Sequence, residues 1–91
     1  MQKGTGYHGS PALMTSKANE EIVPRNPKWT YGYEFYKFEF KNYDDCTVII
    51  NKANAIYIPA GDGFITPDNG APITSFVIKE PNIKYNWAGA Y

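Results

Sequence analysis

From residue 29 onwards, apolar and polar side chains alternate with a period close to two. In the run "IKYNWA", residues 83–88, each apolar ring or branched chain is followed by a polar or small residue. Such alternation is typical of a β-strand that packs one face on a core. The turn signals "KNYDD", "NKAN", "AGDG", "PDNGAP" and "PN" separate about six such runs. The pattern predicts an all-β protein, a small antiparallel β-sandwich or partly open barrel of about six short strands.

The first 28 residues differ from the rest. They contain three glycines and three prolines and show no helical or strand period. We therefore predict a long extended N-terminal arm, residues 1–28, followed by a β-sandwich domain, residues 29–91. A free segment of this composition is expected to be disordered. We therefore expect the arm to be ordered only where it lies on neighbouring molecules.

Charge and hydropathy exclude several partner classes. Nine basic and nine acidic residues cancel, so we expect neither nucleic acid nor an anionic membrane as a partner. We see no signal-peptide core near the N-terminus and no apolar run long enough for a membrane span, so we expect a soluble protein made in a cytoplasm. The single cysteine, Cys46, is predicted to be a buried strand residue, since it has no disulfide partner.

Residues suited to catalysis or to binding of a metal or cofactor are few. The single histidine, His8, lies in the arm, where catalytic geometry is poorly held. Each candidate acid lies in a turn, where its side chain bonds nearby backbone amides: Asp44, Asp45, Asp62 and Asp68. The glycine-rich "GTG" and "GDG" are interpreted as turns, because neither opens a helix after a strand. We expect no enzyme, no cofactor and no metal.

The stretch "WTYGYEFYKFEF", residues 29–40, is dense in aromatic rings of two opposite parities. The first set is Trp29, Tyr31, Tyr33 and Phe35, and the second is Tyr36, Phe38 and Phe40. One straight strand cannot turn both sets toward one core, so either a bulge lies near Phe35 or the first set packs elsewhere. Our interpretation assigns the second set to the core, with Phe64, Phe76, Tyr85 and Trp87. The first set is predicted to cover the rim of the sheet or to contact another subunit.

Two longer stretches resemble a known group of proteins. They are "FEFKNYDDCTVIINKANAIYIPAGDGF" and "APITSFVIKEPNIKYNWAGAY", which together cover roughly residues 38–91. They resemble small proteins encoded in the structural gene clusters of tailed bacteriophages and prophages of Gram-positive bacteria. The resemblance implies a non-enzymatic virion component of the capsid surface, the head–tail connector or the tail. Its motifs are packing and turn motifs, so they identify no site.

These observations give a main hypothesis and an alternative. The main one is a virion structural protein that docks on a major capsid, connector or tail protein or on copies of itself, within a symmetric homo-oligomeric assembly, with the arm as a latch. The predicted interface residues are Tyr7, Leu13, Met14, Ile22, Val23, Trp29, Tyr31, Tyr33, Phe35 and Tyr91. The alternative is a module that binds host-surface glycans by stacking them on Trp29, Tyr31 and Tyr33. An inhibitor of a host defence enzyme is a third hypothesis that draws on no particular residue.

Overall fold

The computed structural model describes residues 6–25, 32–67 and 69–91. In these ranges the chain has no helix and forms nine strands in two antiparallel sheets. The strands are β1 (Tyr7–Gly9), β2 (Met14–Thr15), β3 (Glu20–Glu21), β4 (Lys37–Asn42), β5 (Cys46–Ile50), β6 (Ala55–Ile58), β7 (Phe64–Ile65), β8 (Phe76–Ile78) and β9 (Lys84–Ala90). The all-β antiparallel prediction is confirmed, and the six predicted strands correspond to β4–β9.

The strands form two sheets that pack face to face. Sheet I has the order β1-β9-β4-β7, and β2 also pairs with β9. Sheet II has the order β3-β8-β5-β6. The longest pairing joins β4 to β9, from Lys37 opposite Ala90 to Asn42 opposite Tyr85. This two-sheet arrangement is that of a β-sandwich.

Aromatic rings fill the space between the sheets. Phe76 on sheet II packs against Phe38 and Phe40 on sheet I, with ring centroids 5.1 and 4.7 Å apart. Trp87 stacks on Phe38 at 5.5 Å. The predicted core residues Phe38, Phe40, Phe76, Tyr85 and Trp87 are buried. Tyr36 and Phe64, which were also predicted for the core, are half-buried.

Phe35 is buried in its own chain, which corrects the prediction that it contacts another subunit. It forms an isolated bridge with Ile73, and its ring lies over Gly89, where an added Cβ would approach the ring to 2.5 Å. A bend at Tyr36 follows, so both parities reach the same core, as a bulge near Phe35 would allow. Tyr33 is also buried, with its ring stacked on that of Phe35 at 5.3 Å, so its predicted contact with another subunit is corrected as well.

The described part of the predicted arm, residues 6–25, lies on the chain's own sheets. β1 and β2 pair with β9, and β3 pairs with β8. Between them the buried Ser16 donates its hydroxyl to the Glu80 carbonyl at 2.8 Å and accepts the Ile83 N–H at 3.0 Å. Ile22 and Val23 belong to the core of the sandwich. Their predicted role as contacts to a neighbour is therefore corrected, because each side chain is already buried within the chain.

Candidate interaction surface

The two sheets present very different outer faces. On sheet I the outward positions of β4 and β9 carry mainly charged or polar side chains: Lys37, Glu39, Lys41, Lys84 and Asn86. On sheet II the outward positions of β5, β6 and β8 are almost uncharged. We call this set the apolar face: Thr47, Ile49, Ala55, Tyr57 and Val77.

Strand alternation explains why the apolar face points away from the core. Cys46 and Val48 are buried between the sheets, so Thr47 and Ile49 project from the other side of β5. Ile49 stands opposite both Ala55 on β6 and Val77 on β8. An outward sheet face in water is usually polar, so a neighbouring group of apolar side chains makes this face a candidate contact surface.

Strand β6 ends sheet II and leaves backbone groups open. The Thr47 N–H donates to Glu80 Oε1 at 2.7 Å, and the Thr47 carbonyl accepts the Lys79 N–H at 2.9 Å. The N–H and the C=O of Thr47 therefore both point away from β6. Tyr57, opposite Thr47, is therefore in a non-hydrogen-bonded pair, and its N–H and C=O point away from β5. The same alternation applies to Ala55, opposite Ile49. No hydrogen bond among the described residues engages these four groups, and we call them the free edge.

β6 lacks the usual protections of an edge strand. The other edge strands in the described ranges have two or three residues, whereas β6 has four. Its sequence "AIYI" contains no charge and no proline until Pro59 follows it. Ile56 and Tyr57 are 46% and 61% exposed. Short length, charges and proline are the means by which proteins prevent edge pairing, so β6 is open to pairing.

The pKa values of three ionisable side chains beside this surface are shifted from their ordinary values. Burial, reinforced by the nearby Glu80 carboxylate, raises the pKa of Cys46 to about 11. The thiol therefore stays protonated near neutral pH and is a poor nucleophile. Burial opposes ionisation of Glu80, but the Thr47 N–H stabilises its carboxylate and the net effect lowers its pKa. Local desolvation and the nearby Asp45 raise the pKa of Tyr57, which stays a neutral phenol.

Three of the residues considered for chemistry, His8, Asp44 and Asp45, make structural contacts. The ring of His8 lies against Trp87 at 5.5 Å and against Tyr33 at 5.2 Å. Asp44 accepts the Lys84 N–H and Asp45 accepts the Ala60 N–H, so each binds a backbone amide distant in sequence and not one of its own turn as predicted. Within residues 6–25, 32–67 and 69–91 no three metal-ligating side chains come together. Asp68 lies outside the described residues.

Among the predicted interface residues, some are exposed and others are not. Tyr7 is 87% and Leu13 54% exposed, Met14 is exposed near the edge of sheet I, and Tyr91 is half-buried. Trp29 and Tyr31 lie outside the described residues. For the glycan alternative, Tyr33 lines a cleft of about 440 Å³, but Phe35 covers its ring.

The sequence-based reasoning missed Ile49, Ile56, Tyr57 and Val77 as candidate contacts. The signal was present in "CTVII" and "AIYI", which are continuous apolar runs rather than alternating ones. A strand that is apolar on both faces has its outer face covered by something else or left as a contact surface.

Comparison with known proteins adds no assignment. No family model, no curated protein and no solved structure matches the chain. Across the described ranges the structure has no helix that could cross a membrane.

Proposed function

We propose that this protein is a non-enzymatic structural component of a tailed-bacteriophage virion that works by protein–protein contact. The observation that carries this proposal is the apolar face of sheet II together with the free edge of β6. A small domain that exposes both gains stability when a protein covers them. The resemblance of residues 38–91 to small phage structural proteins supports the choice of a virion as the assembly.

The chemistry of the surface favours a protein partner over a charged polymer. The charged groups beside the apolar face are carboxylates, Glu21 opposite Val77 and Glu80 at the Thr47 N–H, and the net charge of the chain is zero. Nucleic acid and anionic lipid are bound through basic patches, which this face does not supply. A major capsid, connector or tail protein, or another copy of the chain, offers the apolar side chains and backbone groups that match it.

The exposed side chains of the N-terminal segment are the groups that would act as a latch by contacting a neighbouring protein. Tyr7 and Leu13 project from the segment that lies along β9. Tyrosine and leucine at such positions supply contact area without requiring the segment to leave its own sheet. We propose that they contact a neighbouring virion protein while the backbone of the segment stays on the sandwich.

The proposal is tested by measuring whether the protein co-purifies with phage particles. We expect the protein, expressed during growth of a phage that encodes it, to band with purified particles in a density gradient, detected by mass spectrometry. Ile49→Lys places a charge on the apolar face and is expected to reduce incorporation at least tenfold. The matched control Lys41→Ala, on the outer face of sheet I, is expected to incorporate normally.

Two results would overturn the proposal. One is absence of the wild-type chain from particles while it accumulates in the cell. The other is binding on a glycan array that Trp29→Ala abolishes while the fold is kept, which would favour the glycan-binding alternative.

A further inference from the structure

We propose that two copies of this chain pair through β6 in antiparallel fashion, about a two-fold axis at Ile56. The pairing joins the two four-stranded sheets into one eight-stranded sheet. This inference rests on the proposed function as a protein–protein contact module, and it names a second copy of the chain as the partner of the free edge.

The backbone of β6 is complementary to itself in this register. Placing Ala55 of one copy opposite Tyr57 of the other makes a hydrogen-bonded pair, because both residues direct N–H and C=O toward the free edge. The two-fold axis repeats this pair, so four backbone hydrogen bonds form. Ile56 stands at the centre, opposite its own symmetry mate, in a non-hydrogen-bonded pair.

The side chains fit the same register on both faces of the sheet. On the core side, the two half-exposed Ile56 side chains cover each other and extend the two cores toward one another. On the outer side, each Tyr57 ring lies beside the partner's Ala55, which is small enough to leave room for it. The apolar faces of the two copies thereby become one continuous surface.

Charges at the two ends of β6 favour the antiparallel arrangement. The turn before the strand carries Lys52, and the turn after it carries Asp62, with Asp45 bound to the Ala60 N–H at the same end. Antiparallel pairing brings the basic end of one copy to the acidic end of the other. Parallel pairing would place like charges together, so the ends select the orientation.

The contact is small, which sets its expected strength. A strand pair of this length buries less than a stable interface of roughly 800 Å² per partner. We therefore expect a dimer that dissociates on dilution, with a dissociation constant on the order of micromolar or weaker. Inside a symmetric assembly the same contact would be reinforced by its neighbours.

Analytical ultracentrifugation of the full chain tests the pairing. The wild-type mass is expected to rise with concentration from one chain of 10.3 kDa to two and to stop there. Ile56→Lys places two like charges face to face on the axis and is expected to weaken dimerisation at least tenfold. The matched control Ile65→Lys, on the exposed edge strand β7 of sheet I, is expected to dimerise like the wild type, and circular dichroism checks the fold of both.

A cysteine placed on the axis gives a second, independent readout. Non-hydrogen-bonded partners have Cα atoms about 4.5 Å apart, within the range that a disulfide spans. Ile56→Cys is therefore expected to form a covalent dimer under mild oxidation, whereas Ile65→Cys is not. The native Cys46 is buried and gives little background.

Three outcomes overturn the inference: a wild-type chain that stays monomeric up to millimolar concentration, association that continues beyond two copies, or a dimer that survives Ile56→Lys unchanged. These results differ from a failure of the proposed function. A β6 dimer that never enters particles would contradict only the virion role, and a particle-bound chain that is monomeric in solution would contradict only the pairing.

Discussion

The sheet edges are covered by further strands on one lateral side of the sandwich and uncovered on the other. On one side, which we call the closed side, residues 6–25 cover the edge of β9 with β1 and β2 and the edge of β8 with β3. On the other, the open side, β6 and β7 end their sheets without a further strand among the described residues. An exposed edge invites pairing with another chain. The chain thus closes one side with its own N-terminal segment and leaves on the other a strand suited to a partner.

Side-chain hydrogen bonds hold the closed side in place. The Glu21 carboxylate accepts the Phe76 N–H at 2.7 Å and the Ser75 hydroxyl, while Ser16 bonds the backbone at Glu80 and Ile83. On the open side the comparable polar contact is the buried Asn42, whose amide donates to the Ile58 and Pro59 carbonyls. That contact fixes the end of β6 but leaves its outer edge open.

The largest difference between the sides is expected in core packing. Ile22→Ala removes a buried side chain from the closed side and is expected to lower the free energy of unfolding by about 2–4 kcal/mol. Ile56→Ala removes a half-exposed side chain from the open side and is expected to cost about 1 kcal/mol or less in dilute solution. Urea denaturation of both variants measures the difference, and equal losses would contradict the comparison.

A smaller loss is expected when the acceptor that anchors β3 is removed. Glu21→Ala leaves the Phe76 N–H and the Ser75 hydroxyl without their acceptor and is expected to cost about 1–3 kcal/mol. Glu39→Ala, on the exposed outer face of sheet I, serves as the control and is expected to stay within about 0.5 kcal/mol of the wild type. A thermal melt that ranks the two variants the other way would show that β3 is not held by this contact.

The smallest expected effect on stability comes from ionisation of Cys46. This residue lies on β5, opposite Ile58 of β6, on the open side. Its pKa rises from 9.0 to about 11 on folding, so the unfolded chain loses the thiol proton first as the pH rises. The stabilising contribution is complete below about pH 9 and declines between the two values. We expect the free energy of unfolding to fall by about 1 kcal/mol between about pH 8.5 and 10, and Cys46→Ala to remove that part of the fall. A slope that is the same in both proteins would mean that β6 does not bury the thiol.

Local sequence signals were enough to predict much of the fold. Alternation located β4 and β9 because a period of two records which face of a strand is buried, and short apolar runs bounded by turn residues located β5–β8. The buried state of Cys46 followed from the same local reasoning, whereas the amides that Asp44 and Asp45 bind lie 40 and 15 residues away in sequence.

Long-range pairing was beyond that reasoning. β1, β2 and β3 have two or three residues each, too few to show a period, and their partners β8 and β9 lie more than 50 residues away in sequence. The burial of Phe35 depends on the space above Gly89, which is likewise distant in the chain. The candidate surface was missed because the sequence shows that both faces of β5 are apolar but not which elements cover them.

Amide hydrogen exchange of β6, followed by NMR at two protein concentrations, tests the central claim most directly. In dilute solution the Ala55 and Tyr57 amides are expected to exchange rapidly, whereas those of Ile56 and Ile58, which bond to β5, are protected. At high concentration Ala55 and Tyr57 are expected to gain at least tenfold protection, with no comparable change on β1 and β3. Protection of Ala55 and Tyr57 that is already present in dilute solution, or that never appears at high concentration, would contradict the account.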